Sequence, residues 1–389
     1  MSLKQAADRL LQDAVSAGRV AGVVAMAANR EGTIYEGAFG ERVLGGGQPM
    51  TTDTVGWIAS MTKAITSVAA VQCVERGKLT LDTPASAVVP AIAEAQVLTG
   101  FDAAGKPQTR PPKRPITLRH LLTHSAGFSY EIWNTDMQKV QAALGIPSVT
   151  ECKNKALTLP LLFDPGERWE YGINIDWAGK IVEAVSGQKL GVYLAENLFG
   201  PLGMRDTAFR IRPDMMSRLA KIHHRDDQGQ LVAGDLMIEQ NPENEMGGGG
   251  LYGTMPDYIR FVRMILADGL GEGGRVLRPE TVQMMCRNAM GDLRVTMLPT
   301  QAPPLTNDAE FFPGVPKSWG LSFQVNEAPA PTGRPAGQLM WAGLANSYYW
   351  IDRQTGLGGC YMTQILPFAD VKSLPLYYEF ESAVYHSLR

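Results

Sequence analysis

"VGWIASMTKAITSVAAVQCVERG", residues 55–77, is the stretch of sequence that decides the fold. Ser60 and Lys63 lie three residues apart at the start of a run of small and apolar residues, which predicts a helix from about 60 to 76. Gly77 follows as the expected C-terminal cap. Because residues i and i+3 share one face of a helix, about 5–6 Å apart at Cβ, we expect Ser60 Oγ and the Lys63 amine to touch.

The Ser60–Lys63 pair suits nucleophilic catalysis. A serine hydroxyl is a weak nucleophile until a base takes its proton. Lysine can be that base only when burial or a nearby cation lowers its pKa from ~10.4 towards neutrality, and the apolar or small neighbours of this pair favour burial. The start of a helix also supplies free N–H groups that can hold an oxyanion.

The spacing alone is weak evidence, because Ser186-Gly187-Gln188-Lys189 repeats it. Gly187 is expected to stop a helix, so Lys189 need not face Ser186. The alternative for the first pair is a solvated helix start with a surface lysine. The sequence contains no G-x-S-x-G, which argues against the nucleophile elbow of the α/β-hydrolases.

Both ends of the chain predict α/β structure. Residues 4–17 have the pattern of an amphipathic helix, and 22–40 that of two strands around a turn at 30–32. Near the other end the hairpin-like spacing of four strands favours an antiparallel sheet over a doubly wound parallel one. The predicted elements are "WGLSFQVN" (319–326), "GQLMWAG" (337–343), "NSYYWID" (346–352), "GGCYMTQ" (358–364) and a final helix over about 373–387.

The middle of the chain has a different texture, with helical patterns broken by Gly and Pro. We therefore predict one α/β lobe from residues 1–80 and 245–389, a mostly helical lobe from 81–244, and an active site in the cleft between them. A helix with Pro256 near its start is expected from about 255. Residues 298–317 hold five prolines, which predicts a long loop bordering the site.

Size, charge and cysteine usage exclude several classes of protein. A chain of 389 residues is expected to form two lobes. With 36 basic and 39 acidic residues the net charge is −3, and without a basic block no nucleic-acid partner is expected. The apolar run 20–28 is too short to cross a bilayer, so no membrane partner is expected, and residues 1–15 lack a signal-peptide pattern, so the prediction is cytoplasmic. The four cysteines lack a CxxC spacing and are interpreted as buried or neutral thiols.

Several segments, in order, give the chain a family resemblance. They resemble the serine β-lactamase and penicillin-binding-protein superfamily, in particular its class C branch and the family VIII bacterial carboxylesterases. The resemblance covers residues 50 to 385 and implies a class C β-lactamase-like α/β (α+β) fold, with an antiparallel sheet flanked by helices. The segments are "WIASMTKAITSVAAVQCVERGKLTLDTP" (57–84), "ITLRHLLTHSAGF" (116–128), "FDPGERWEYGINIDWAGKIVEAVSG" (163–187), "LFGPLGMRDTAF" (198–209) and "GGGGLYGTMPDYIRFVRMILADG" (247–269).

The resemblance implies roles for particular residues. Ser60 would be the nucleophile, Lys63 its base, and Tyr171 a phenol that shares their proton and activates the deacylating water or alcohol. The family's asparagine follows its tyrosine by two positions, whereas here Ile173 stands there and Asn174 comes one later. Asn174 is thus a substrate-binding candidate that departs from the family's spacing by one residue.

The third motif of the family also differs here. Lys-Thr-Gly is absent from the sequence, and Trp341-Ala342-Gly343 takes its place. Trp341 offers an apolar wall where β-lactamases have a cation, which suits a neutral ester. By position, the backbone N–H groups of Ser60 and Leu344 would form the oxyanion hole, with Trp341 and Gly343 beside the substrate.

Other candidate groups are expected to be structural or to line the site. His120 and His124 have helical spacing, but Leu121 replaces the glutamate of H-E-x-x-H, so no metal and no cofactor is expected. The glycines of 247–250 are expected to form a tight turn bordering the cleft. Four aromatic residues are candidates for the acyl pocket: Trp57, Tyr130, Trp133 and Tyr348.

Three hypotheses for function follow. The first is a serine carboxylesterase that hydrolyses short-chain, uncharged esters through an acyl-Ser60 intermediate, with acyl transfer to another alcohol or amine as a close variant. The second is a β-lactamase or D-Ala-D-Ala peptidase, which the missing Lys-Thr-Gly lysine argues against. The third is a catalytically dead binding protein on the same fold, which the three intact catalytic positions argue against. The natural ester, the acyl-chain limit and the oligomeric state stay open, as does the choice of Lys63 or Tyr171 as principal base.

Overall fold

A seven-stranded antiparallel sheet joins the two ends of the chain. The computed structural model describes residues 2–387. Its main sheet has the order β11-β12-β13-β14-β15-β1-β2. The strands are β1 Gly22–Ala28, β2 Thr33–Gly40, β3 Gly56–Trp57, β4 Val97–Phe101, β5 Pro107–Arg110, β6 His223–Arg225, β7 Leu231–Ala233, β8 Tyr252–Gly253, β9 Leu270–Gly271, β10 Gly274–Arg275, β11 Lys317–Trp319, β12 Gln324–Asn326, β13 Gln338–Gly343, β14 Ser347–Asp352, β15 Leu357–Met362 and β16 Ile365–Leu366.

Helices flank this sheet and recur through the middle of the chain. They are α1 Leu3–Ser16, α2 Thr62–Glu75, α3 Leu118–Leu122, α4 Thr135–Leu144, α5 Asn174–Ser186, α6 Leu190–Leu194, α7 Gly200–Leu202, α8 Pro213–Met216, α9 Met255–Leu266, α10 Pro279–Met285 and α11 Ser373–Ser387. A capping box starts α1, where the Ser2 and Gln5 side chains each accept a hydrogen bond from the other residue's backbone N–H. The bounds of α1, α9 and α11 confirm the helices predicted at the two ends of the chain and from about residue 255.

The central strands carry the core because they are covered on both faces. β1 is buried at every position and pairs with β15 on one side and β2 on the other, so that Val24 lies opposite Met362 and Ala38. Successive side chains of a strand point to opposite faces. On β14, Tyr349 packs on Tyr258 of α9, and the next residue, Trp350, packs on Phe380 of α11. The predicted antiparallel sheet flanked by helices is therefore confirmed.

One predicted strand is wrong. Residues 319–326 form a hairpin instead of a single strand, with β11 ending at Trp319 and β12 beginning at Gln324. Ser322 has φ +82°, a left-handed conformation that interrupts an extended chain. Gly320 lies so close to α10 that a Cβ would be 2.4 Å from the Met285 carbonyl oxygen. The turn is thus fixed by packing that the local pattern does not reveal.

The region between the two halves of the sheet contains more helix than strand, and the rest of it is turns and irregular chain. Within residues 2–387, all seven strands of the main sheet come from 22–40 and 317–362. The division into 1–80 with 245–389 and 81–244 stays a prediction, and residue 1 and residues 388–389, at its ends, lie outside the described part. Within that part, no helix is both long and apolar enough to cross a membrane.

Candidate active site

A mostly apolar cavity is lined by residues of the main sheet and of the middle of the chain. It holds about 730 Å³ of empty space, counted out to its open mouth. Leu298 and Leu305 of the proline-rich loop and Gly248 and Gly249 of the glycine run form parts of its wall, as the sequence predicts. The other lining residues are Trp57, Ala59, Ser60, Tyr130, Glu131, Ile132, Trp133, Ser148, Val149, Thr150, Tyr171, Met246, Trp341, Ala342, Leu344 and Phe368.

A sharp turn presents Ser60 to this cavity. The short strand β3 ends at Trp57, and Ile58 donates its N–H to the Leu251 carbonyl at 3.1 Å. Ala59 then adopts φ +45°, a left-handed conformation that costs a non-glycine residue about 1–3 kcal/mol and is concentrated at functional sites. Ser60 follows in a single 3₁₀ turn over Ala59–Met61, one turn earlier than the α-helix proper. The predicted helix start is therefore corrected: the nucleophile candidate precedes α2.

Lys63 lies directly behind Ser60, on the first turn of α2, with a fully buried side chain. Its Nζ donates to Ser60 Oγ at 3.1 Å, to the Tyr130 hydroxyl at 3.0 Å and to the Gly248 carbonyl at 2.6 Å. Burial lowers the pKa of Lys63 to about 7, because a low-dielectric site disfavours the charged amine. The amine is therefore poised to accept the Ser60 proton near neutral pH.

Tyr171 brings a second hydroxyl to the same point. It precedes α5, and Lys63 Nζ lies over its ring, 4.6 Å from the ring centroid. Burial raises the pKa of Tyr171 above its usual range, although hydrogen bonds with Ser60 and Trp341 oppose that shift. Trp341 Nε1 donates to the Tyr171 hydroxyl oxygen at 3.0 Å. Trp341 therefore does more than form the predicted apolar wall, since it also orients the phenol.

The strand carrying the third motif passes close behind the nucleophile. A Cβ on Gly343 would lie 2.3 Å from the Ile58 carbonyl oxygen, so this close approach of β13 requires glycine. Leu344 follows at the end of β13 and lines the cavity together with Ser60. The backbone N–H groups of Ser60 and Leu344 thus belong to residues on one cavity wall. Their role as an oxyanion hole stays a prediction.

The structure does not bring Asn174 to the cavity, so its prediction as a substrate-binding residue is corrected. Asn174 is fully buried as the first residue of α5. Its Nδ2 lies 3.0 Å from His124 Nδ1 and donates to the carbonyls of Phe128 and Glu170, both at 3.4 Å. Asn174 therefore ties the start of α5 to the loop after α3.

Three of the four aromatic candidates for the acyl pocket line the cavity: Trp57, Tyr130 and Trp133. The prediction that Tyr348 lines the pocket is wrong, because its side chain is fully buried and stacks on Tyr377 of α11, with ring centroids 4.7 Å apart. Side chains alternate along β14, and that position faces the helix.

Two groups beside Lys63 were not identified as functional from the sequence. Tyr130 was a pocket candidate only, yet its hydroxyl accepts a hydrogen bond from the Lys63 amine. The sequence gives no functional prediction for Asp176, although it is the one acid in the apolar start of α5, "NIDWAGKIV". A carboxylate on an otherwise apolar first helical turn is the signal that the sequence offers.

The remaining titratable candidates lie outside the reacting group. Within residues 2–387, no cluster of three or more His, Cys, Asp or Glu side chains is arranged to hold a metal ion. His120 Nδ1 accepts the Thr117 N–H in a helix cap, and burial lowers the pKa of His124. All four cysteines are free and buried, and burial raises the pKa of each thiol, as expected for buried thiols.

Known proteins are similar to this chain in sequence and architecture. A family model described as Beta-lactamase matches residues 7–381. Lovastatin esterase of Penicillium rubens is 34% identical over 90% of this chain and 90% of its own. Monacolin J acid methylbutanoyltransferase of Aspergillus terreus is 34% identical over 96% of this chain and 93% of its own. The unliganded structure of simvastatin synthase from Aspergillus terreus superimposes with a TM-score of 0.85 at 30% identity, covering 97% of both chains.

Proposed function

The chain belongs to the β-lactamase family and is a serine hydrolase by its relatives, and on this premise we propose that it cleaves short-chain, uncharged carboxylic esters through an acyl-Ser60 intermediate. The acyl group then passes to water, or to an alcohol where one occupies the cavity. The observation that carries the proposal is the 3.1 Å contact between the buried Lys63 amine and Ser60 Oγ inside an apolar cavity.

Acylation follows from this contact. Ser60 Oγ attacks the ester carbonyl carbon while its proton moves to the Lys63 amine. The carbonyl oxygen takes up the negative charge and is held by the backbone N–H groups of Ser60 and Leu344. As the tetrahedral intermediate collapses, the bond to the alcohol breaks, and the proton passes through Tyr171 to the departing alkoxide.

Deacylation reverses the proton path. A water or alcohol enters where the first alcohol left, gives its proton towards Tyr171 and Lys63, and attacks the acyl carbon. The bond to Ser60 Oγ breaks, Ser60 regains a proton, and an acid or a new ester leaves. We assign the base to Lys63 and the relay to Tyr171, because burial lowers the pKa of the amine to about 7 and raises that of the phenol.

The wall of the cavity supports a neutral substrate. Trp341 and Glu131 both line the cavity, and by the family resemblance Trp341 takes the place of the β-lactamase lysine. An apolar ring and a carboxylate together disfavour the carboxylate of a β-lactam or a peptide C-terminus. The β-lactamase and peptidase hypotheses are therefore the weaker alternatives.

Acyl transfer is the second candidate. The relatives include a methylbutanoyltransferase, whose named acyl group is short, branched and apolar. Transfer and hydrolysis share the acyl-enzyme and differ only in whether an alcohol or water attacks it. Apolar lining favours a bound organic alcohol over water, and this supports transfer as an activity of the same site.

The test compares p-nitrophenyl acetate, butyrate and octanoate with nitrocefin, with and without an added primary alcohol. We expect fast turnover of the short esters, little nitrocefin cleavage, and a new ester product when the alcohol is present. Nitrocefin as the best substrate would reverse the ranking. Absence of turnover with every ester would overturn the proposal.

A cytoplasmic location is also proposed. Four cysteines that are free and buried suit a reducing compartment. Fractionation of cells that express the native chain, followed by immunoblotting, tests this: signal in the exported fraction would contradict it.

A further inference from the structure

Asp176 is a buried carboxylate that the mechanism above does not use. It lies on the first turn of α5 and is 1% exposed. Within residues 2–387, its Oδ2 has no hydrogen-bond partner. Burying a carboxylate with one oxygen unsatisfied is costly, so its presence calls for a physical reason.

Gly248 connects this carboxylate to the catalytic lysine. The Gly248 N–H donates to Asp176 Oδ1 at 2.9 Å, and the Gly248 carbonyl accepts from Lys63 Nζ at 2.6 Å. The contact is tight, because a Cβ on Gly248 would lie 2.4 Å from Asp176 Oδ2 and 3.0 Å from the Tyr130 hydroxyl. Asp176 therefore holds the residue that fixes one of the three Lys63 hydrogen bonds.

The two buried groups, Lys63 and Asp176, also act on each other. Burial is the larger effect and disfavours the charged form of both groups, whereas the attraction between them favours both charges. Because they interact strongly, they lose and gain protons as a pair. The titratable or charged groups that face the pair from neighbouring elements are Tyr130, Tyr171 and His124 around Lys63, Lys180 and Cys152 around Asp176, and Glu131 beside Tyr130.

We propose that Asp176 is a positioning residue of the acylation site, which acts on the Lys63 amine by holding Gly248 against it and by placing a carboxyl group behind that glycine. This inference rests on the proposed function and deepens it. Asp176 does not touch the reacting atoms; it acts through Gly248 and through its charge.

Two substitutions separate these two actions. Asp176→Asn keeps an oxygen for the Gly248 N–H and removes the charge. Without the carboxylate, the Lys63 cation is less stable, so the amine loses its proton at lower pH. The acid limb of the rate profile should therefore move to lower pH by about one unit. Asp176→Ala also removes the hydrogen-bond acceptor and should lower the maximal rate about tenfold below that of Asp176→Asn.

The measurement is the second-order rate of Ser60 labelling by a fluorophosphonate across a pH range that brackets neutrality. Labelling requires an activated Ser60 but no knowledge of the natural ester. The profile of kcat/KM for p-nitrophenyl butyrate is recorded in parallel.

Asp257→Asn is the matched control. Asp257 is a 3% exposed carboxylate on the first turn of α9, where it accepts from the Asp206 N–H and the Thr207 hydroxyl. Its substitution removes a buried charge away from the cavity and should leave the acid limb in place.

The outcomes are distinguishable. A wild-type chain that the probe does not label would overturn the proposed function itself. A labelled wild type with an unmoved acid limb in Asp176→Asn would overturn the role of Asp176 alone. A merely structural role would lower the rates of both variants equally at every pH. If Asp176→Ala fails to fold, as judged by circular dichroism, the isosteric Asn variant decides.

Discussion

The four-residue motif Ser-x-x-Lys occurs twice in this chain, and its serine and lysine side chains meet in only one of the two copies. At Ser60 the spacing straddles a 3₁₀ turn and the start of α2, and the Lys63 amine meets Ser60 Oγ inside the protein. At Ser186 it straddles the end of α5. There the Ser186 hydroxyl donates to the Val182 carbonyl at 2.6 Å, and Lys189 is exposed.

The difference lies in the backbone and in burial, not in the side chains. Gly187 adopts φ +72° and turns the chain out of the helix, so Lys189 no longer shares a face with Ser186. The first pair has no such break and lies under the glycine run of 247–250, whose carbonyls receive Lys63 and Thr66. Spacing permits a serine–lysine contact, and burial makes it reactive by lowering the lysine pKa.

Removing each serine gives the largest expected contrast. Ser60→Ala should abolish turnover of p-nitrophenyl butyrate, by at least about 10⁴-fold in kcat, because no other group at that point can form the acyl-enzyme. Ser186→Ala should stay within about twofold of wild type, since its hydroxyl only caps a helix end. Steady-state kinetics on both variants make the comparison. Ester turnover that survives in Ser60→Ala would remove Ser60 from the mechanism.

Removing each lysine should give the next largest contrast. Lys63→Met preserves the apolar stem and removes the base, and kcat should fall about 10³-fold. Lys189→Met serves as the exposed control and should leave kcat unchanged. The two variants are compared with Tyr171→Phe by the same assay. If the phenol substitution costs more than Lys63→Met, then Tyr171 and not Lys63 is the principal base.

The local patterns of the sequence predicted the frame of the fold well. The amphipathic period of residues 4–17 and the hairpin of 22–40 depend on neighbours in sequence, and both elements form as expected. The prediction of a single strand over 319–326 was wrong, because the turn within it depends on packing against α10, which lies elsewhere in the sequence. Patterns of hydrophobicity carry no information on such a contact.

The site follows the same rule. Ser60 and Lys63 are three residues apart, so their contact was predictable from helix geometry alone. Tyr130 and Gly248 contact Lys63 although they lie 67 and 185 residues away in sequence, and no local spacing predicts these contacts. The prediction for Asn174 failed for a related reason: its role was carried over from a family motif although Asn174 lies one position later, and its side chain points to His124.

Trp341 allows a finer test of what surrounds the first pair. Trp341→Phe keeps an apolar ring and removes the indole N–H that donates to the Tyr171 hydroxyl. We expect kcat to fall about tenfold, because one hydrogen bond to the relay group is lost. Trp133→Phe is the control, since Trp133 lines the same cavity and, within residues 2–387, its Nε1 has no partner. Equal effects of both variants would show that Trp341 acts only as a wall.

The smallest expected effect concerns the backbone that separates the two pairs. Gly187→Ala places a Cβ at φ +72°, where nothing lies within 4 Å, so its cost is conformational and not steric. The free energy of unfolding should fall by about 1 kcal/mol, with kcat unchanged. Gly32→Ala is the matched control, because that glycine also has open space around a Cβ but lacks a left-handed φ. Urea titration of both variants measures the difference. An unchanged stability in Gly187→Ala would mean that the helix end tolerates alanine. The separation of Lys189 from Ser186 would then have a cause other than the conformational freedom of Gly187.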